Sequence, residues 1–196
     1  KYVEPQHPIA FLPWDCTKFV MQSQKDGYNH LYLLDANGKE IRQITKGNWV
    51  VMDMLGFNTK EKTIVYSSNQ ISPIQRNTFA ITVDGAKTKQ LDNGKGYHYA
   101  SLSGKSGYVL DRYSEPDVPR AIDIAATTIK AKNKTLAYFR ADNPWKDYAV
   151  PEYSCGSIKA ADGTTDLFYR MVKPVNFDET KKYPTIIYVY GGPHAH

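Results

Sequence analysis

Long hydrophobic runs are missing. Nowhere in the 196 residues do apolar side chains continue for the roughly 18 to 20 positions that a membrane-spanning helix needs. The first residues, KYVEPQHPIAF, also lack the charged-then-apolar layout of a secretory leader. A soluble globular chain is expected, either cytoplasmic or exported on a signal that lies outside it. Cysteine is scarce: Cys16 and Cys155 stand far apart with no CxxC and no Cys/His metal spacing, so they read as two unpaired structural thiols rather than a disulfide or a site. A concentration of positive charge is missing too. The net charge is +5 and the pI near 9.0, but the 25 Lys and Arg are scattered singly or in pairs, which suits a solvated surface and not a nucleic-acid interface. Helical periodicity is nearly absent until the end of the chain.

What is present points to strands. Hydrophobic residues make up 41% of the chain, enough to fill a core, and aromatics 13%, with 15 Tyr, a composition that belongs with sheets. Short β-branched and aromatic runs alternate with turn residues: TKFVMQSQ, KDGYN, HLYLLD, ANGKE, IRQITKGNWVVMDML. They repeat. Phe19, Ile64 and Val109 follow one another at 45 residues, and so do Leu12, Phe57 and Leu102. A period of 40 to 50 residues carrying four short strands is the pattern of a β-propeller blade, a sheet that buries both faces only when neighbours stack around an axis. In the first blade, strands are expected near Ile9 to Leu12, Lys18 to Gln22, His30 to Asp35 and Ile41 to Thr45, with Asp26-Gly27 and Asn37-Gly38 as hairpin turns. The second blade runs from about Val51 to Leu91 and the third from about Tyr99 to Phe139. A closed propeller needs at least about four blades, so the chain is expected to be a fragment of something larger or to assemble with another copy.

After Asn143-Pro144-Trp145 the period ends. EYSCGSIKAADGTTDLFYRMVKPVNF reads as two longer strands joined at Ala161-Asp162-Gly163, with Thr165, Leu167, Tyr169 and Met171 alternating against Asp166, Phe168 and Arg170. Pro184 then opens TIIYVY, an unbroken apolar run of the kind buried on both faces inside an α/β sheet. The expected division is 1–146 for the blades and 147–196 for the beginning of a second domain.

A propeller repeat, a strand pair ending in MVKPVNFDETKKYP, and then IIYVYGGPHAH resemble, in that order, the prolyl oligopeptidase clan of serine peptidases and within it the dipeptidyl peptidase IV family. Asp26-Gly27-Tyr28-Asn29-His30-Leu31-Tyr32 and Thr45-Lys46-Gly47-Asn48-Trp49 are similar to late propeller blades of bacterial members, and Val189-Tyr190-Gly191-Gly192-Pro193 to their oxyanion loop. Tyr at position 190, where acylaminoacyl-peptidase relatives usually carry His, favours the dipeptidyl peptidase IV branch. The resemblance implies late blades of an N-terminal propeller followed by the first strands of an α/β-hydrolase domain. It also implies release of N-terminal X-Pro or X-Ala dipeptides, no cofactor or metal, a homodimeric parent, and export to the periplasm or cell surface on a signal peptide upstream of this chain. Tyr190 would donate its hydroxyl to the oxyanion that forms when a serine attacks a peptide carbonyl. Gly191 and Gly192 would let the chain turn beside the substrate with no Cβ in the way.

The rest of the catalytic machinery is absent from the chain. A hydrolase of this kind needs G-x-S-x-G followed by an Asp and a His. Gly104-Lys105-Ser106-Gly107-Tyr108 comes nearest, but it lacks the final glycine and falls in a blade hairpin, so Ser106 reads as a turn residue. By family order the triad lies beyond His196, and the glutamates that hold a substrate's amino terminus lie before Lys1. Tyr2-Val3-Glu4-Pro5 resembles a propeller segment that reaches toward the substrate pocket, with no residue assigned there. Tyr188 reads as packing, His194 and His196 as loop residues and not a metal pair, His30 and His98 as hydrogen-bonded blade histidines, and Asn133-Lys134-Thr135 as a weak glycosylation pattern. Two other readings stay open: a non-catalytic propeller that binds protein partners, and a different peptidase of the same clan.

Overall fold

The computed structural model describes residues 7–105, 107–116, 118–130 and 135–189, and every regular element among them is a strand. Three four-stranded antiparallel sheets follow one another along the chain, each in simple up-and-down order. The first holds β1 (Ala10–Leu12), β2 (Asp15–Ser23), β3 (His30–Asp35) and β4 (Glu40–Gln43). The second holds β5 (Val51–Asn58), β6 (Thr63–Ser68), β7 (Asn77–Thr82) and β8 (Thr88–Gln90). The third holds β9 (Tyr97–Leu102), β10 (Tyr108–Glu115), β11 (Val118–Ala126) and β12 (Thr135–Arg140). These are the expected blades. Three of their hairpins, β2–β3, β3–β4 and β7–β8, close at the Asx-Gly pairs Asp26-Gly27, Asn37-Gly38 and Asp84-Gly85. At Asn37-Gly38, for example, the Asp35 carboxylate accepts from the backbone N–H of Asn37 and of Lys39, both at 2.9 Å, while Gly38 takes φ +81°.

The 45-residue repeat marks one face of each blade. Ile64 and its cross-strand partner Ile81, with Tyr66 and Phe79, pack against Val20, Leu31, Leu33 and Ile44 of the first blade. On the opposite face of the same sheet, Val65 and Ala80 pack with Val109, Ala100 and Ala125 of the third blade. The second blade is therefore apolar on both sides, and all six residues of β6 are buried. In β10, whose sheet packs against another blade on one face among the described residues, buried and exposed residues alternate from Tyr108 through Ser114. Phe19 occupies the corresponding face of the first blade, beside Tyr32 and Leu34.

One detail of the repeat does not carry into register. Ile64 pairs with Phe57 and Val109 with Leu102, but Phe19 pairs with Phe11, not Leu12, and at the irregularity between Phe11 and Leu12 the pairing jumps from Phe19 to Asp15. Leu12 still reaches the core at 3% exposure. Main-chain and amide hydrogen bonds stitch adjacent blades: Val51 N donates to Asn29 O (2.8 Å), Asn29 Nδ2 to Val51 O (2.7 Å), and His98 N to Arg76 O (2.9 Å).

The chain parts into two compact units, Lys1–Ala141 and Asp142–His196. The second contains one hairpin, β13 (Tyr153–Lys159) and β14 (Asp166–Val172), closed where Asp162 accepts from the N–H of Thr164 and Thr165, each at 2.8 Å. The residues of β14 alternate as read from the sequence, and every one of them is exposed. The run 184–189 differs from expectation. It forms no strand, and Ile186, Ile187, Tyr188 and Val189 are 80–94% exposed. A strand exists through its ladder of partners, and none of the described residues offers this segment one.

Candidate functional site

Tyr190, Gly191 and Gly192 lie outside the described residues, as do Ser106, His194, His196, Tyr2 to Pro5 and the Asn133-Lys134 part of the glycosylation pattern. The structure does describe the segment that leads to Tyr190. Lys173 extends the β13–β14 ladder by donating its N–H to Glu152 O (2.9 Å), and its ammonium meets both Glu152 carboxylate oxygens at 3.1 Å. The same ammonium lies 5.1 Å over the Phe177 ring, and Phe177 packs on Tyr183 with ring centres 5.1 Å apart. Tyr183 Oη accepts from the N–H of Asp178 at 3.0 Å. Asp178 in turn closes the charged turn by accepting from the Thr180 hydroxyl (2.7 Å) and N–H (3.0 Å); with Lys181 beside it, these hold its carboxyl below the usual range. The residue before Pro184 is thus held by two contacts, the Phe177 ring and the Asp178 N–H, where the apolar run begins.

The two blade histidines are hydrogen-bonded and buried, as expected, but they are not equivalent. His30 Nε2 faces the Gly47 carbonyl at 3.0 Å, so it carries the hydrogen, and Nδ1 faces the Thr45 hydroxyl at 3.1 Å. A neutral ring completes both contacts, and Trp49 closes the site edge-on at 4.8 Å. His98 instead meets a carboxylate: Nδ1 stands 2.6 Å from Asp111 Oδ2, and Nε2 stands 2.6 Å from Lys95 O. Tyr113 stacks on the ring at 4.8 Å. Across the sheet Asp111 is the direct partner of Asp123, and Asp123 pairs with Arg140 at 2.7 Å. Sequence reading missed this buried group. Its signal was the period of two in β10, which places Asp111 on the same inward face as Val109 and Tyr113.

Cys16 and Cys155 are both free and both exposed. Within the described residues, then, the second unit presents a hairpin and a pinned approach to Tyr190, and the blades carry one buried charged cluster.

Comparison with known proteins gives this arrangement its frame. The family described as Dipeptidyl peptidase IV (DPP IV) N-terminal region matches residues 1–120. The chain belongs to the dipeptidyl peptidase IV family. A putative dipeptidyl aminopeptidase IV from Bacteroides ovatus is 45% identical, with a TM-score of 0.84 over 100% of this chain and 30% of that one. The dipeptidyl peptidase 4 of Porphyromonas gingivalis is 31% identical, with a TM-score of 0.74 over 90% of this chain and 24% of its own. Among curated relatives, the dipeptidyl peptidase 4 of Trichophyton rubrum is 33% identical over 90% of this chain and 23% of its own length. The probable dipeptidyl-aminopeptidase B of Arthroderma otae is 30% identical over 98% of this chain and 22% of its own. The chain therefore spans between a fifth and a third of the relatives it matches, and its three sheets are propeller blades of a dipeptidyl peptidase IV N-terminal region.

Proposed function

We propose that this chain is the late propeller and the opening of the α/β-hydrolase domain of a serine exopeptidase that releases N-terminal X-Pro or X-Ala dipeptides. The supporting observation is that the likeness to the Bacteroides dipeptidyl aminopeptidase IV runs through all of the chain, beyond the propeller and through Val189-Tyr190-Gly191-Gly192-Pro193. In that reading Tyr190 supplies a side-chain donor to the oxyanion and Gly191 and Gly192 shape the turn behind it, while the nucleophile, acid and base follow His196. The blades bind and gate the peptide. The enzyme needs no metal or cofactor, acts as a homodimer, and is exported.

Separating Ser, Asp and His from the blades has a direct consequence. The intact enzyme should cleave Gly-Pro and Ala-Pro chromogenic substrates and take up a fluorophosphonate at a single serine. Residues 1–196 alone should do neither. Labelling of this chain at one unique residue would place the nucleophile inside it and overturn the proposal.

A further inference from the structure

The buried His98 cluster lies where the second and third blades meet. Asp92 and Lys95 belong to the connection between the blades, His98 to β9, and the His98 N–H makes the main-chain bond to Arg76 O of the second blade. The hydrogen-bond roles around the ring are forced. Lys95 O can only accept, so Nε2 carries a hydrogen. A neutral ring would then turn the bare lone pair of Nδ1 toward Asp111 Oδ2 at 2.6 Å, and two acceptors at that distance repel. One more proton is required between them. We infer that His98 and Asp111 hold a shared buried proton at neutral pH, and that its release on alkalinisation loosens the junction between the second and third blades.

The surrounding charges support that state. From the connection, Asp92 Oδ2 lies 4.0 Å from Nδ1; its carboxylate is saturated by Thr78 N (2.5 Å), Gln90 Nε2 (2.7 Å), Gly94 N (2.9 Å) and Asn77 Nδ2 (3.3 Å). From β10 come Asp111 and Tyr113, whose ring face lies against the imidazole as it would against a cation. From β11 comes Asp123, directly opposite Asp111, and from β12 Arg140, which pairs with Asp123 and lies 5.7 Å over Tyr113. From the second blade, Arg76 meets His98 through its carbonyl and turns its guanidinium to Asp53 at 2.5 Å. Two carboxylates, Asp111 and Asp92, thus face one imidazole, while the two guanidiniums are paired elsewhere, Arg140 with Asp123 and Arg76 with Asp53. Asp111 is 3% exposed and His98 fully buried, so an unshared negative charge on Asp111 would be costly there.

Both groups shift in the same sense. Burial disfavours the charged imidazole, but the Asp111 hydrogen bond and the charges of Asp92 and Asp111 outweigh it, and His98 moves up. Burial moves Asp111 up, more than the His98 contact moves it down. Raised values mean that the folded pair holds a proton the unfolded chain has lost. The contribution is complete below the ordinary histidine value of about 6.5 and disappears as pH rises through the raised value of the pair.

The test uses the full-length protein with isotope-labelled His and Asp, followed by NMR and by hydrogen exchange at the His98 amide. At pH 7 either Nδ1 of His98 or the Asp111 carboxyl should carry the extra proton. Raising the pH should remove it, together with a loss of His98 amide protection beyond the base-catalysed rise seen at other blade amides. Asp111→Asn supplies an N–H to a neutral Nδ1 and needs no such proton. Its His98 should be neutral at pH 7, and its amide protection should not fall selectively at alkaline pH. Finding Nδ1 bare and Asp111 ionised in the unmodified protein at pH 7 overturns the inference, and so does a protonated pair whose loss leaves His98 amide protection unchanged.

Discussion

Gly85, in the β7–β8 turn of the second blade, sits directly on the carbonyl of Ile44 in the first: a Cβ at position 85 would stand 2.6 Å from that oxygen. Its φ of +74° is itself unfavourable for an L side chain. Arg42 Nη1 donates to the neighbouring Asp84 carbonyl at 3.3 Å, so the turn is held from the first blade on both sides. The blades can approach only because this residue has no side chain.

Gly85→Ala should therefore lower stability by more than the roughly 1–3 kcal/mol that left-handed backbone strain alone costs. Gly163→Ala, at φ +70° with nothing within 4 Å, isolates the strain, and Gly104→Ala, with neither strain nor neighbour, serves as the control. Chemical unfolding of the three variants should rank them 85, 163, 104 in decreasing damage. Equal losses at 85 and 163 would show that the contact with Ile44 is unimportant.

A second clasp depends on charge. Glu61, in the β5–β6 turn, accepts from the Thr128 hydroxyl (2.6 Å) and the Ile129 N–H (2.9 Å), while Asn58 Nδ2 at the end of β5 donates to Thr127 Oγ1 (2.8 Å). Burial raises the Glu61 carboxyl, but these hydrogen bonds, with Lys130 and Lys89 nearby, bring it below its ordinary value. A lowered folded value stabilises the fold above the unfolded carboxylate range, and the contribution is lost as pH falls through the folded value. Glu61→Gln should remove that acid-side dependence: its stability deficit should be largest near pH 7 and shrink toward pH 3. A deficit independent of pH would place the effect elsewhere.

Blades were legible in this sequence because the repeat and the Asx-Gly turns are local signals. The 45-residue spacing of Phe19, Ile64 and Val109 tracked a single sheet face, whereas the burial of β6 on both sides and of β10 on one depends on which blades stand beside them. The irregularity after Phe11 was hidden, since a jump in pairing from Phe19 to Asp15 beside a three-residue strand leaves no mark in composition. His98 was recognisable as a hydrogen-bonded residue, but its partner depends on β9 and β10 register, which pairs Tyr113 with His98 and sets Asp111 diagonally across from it. At the C-terminal end the reading of a buried strand rested on TIIYVY being apolar. Apolar character states what a segment needs and not what covers it.

That need makes an association prediction. Four large side chains at 186–189 stand 80–94% exposed, and β12 is exposed along its whole length with Leu136, Tyr138 and Phe139 at its surface. Exposed apolar strands with free N–H and C=O groups pair with other chains. Residues 1–196 in isolation should self-associate as concentration rises, by light scattering or sedimentation. A strict monomer throughout would contradict this.

Kinetics of Tyr190→Phe in the intact enzyme test the proposed role of this chain most directly. The change removes one hydroxyl and keeps the ring. If that hydroxyl donates to the developing oxyanion, turnover of an X-Pro substrate should fall on the order of a hundredfold to a thousandfold. KM and thermal stability should stay nearly unchanged, because the lost bond belongs to the transition state and not to substrate binding. A kcat within about threefold of the unmodified enzyme would contradict the account, leaving Tyr190 as packing at a strand end and the glycine turn as architecture.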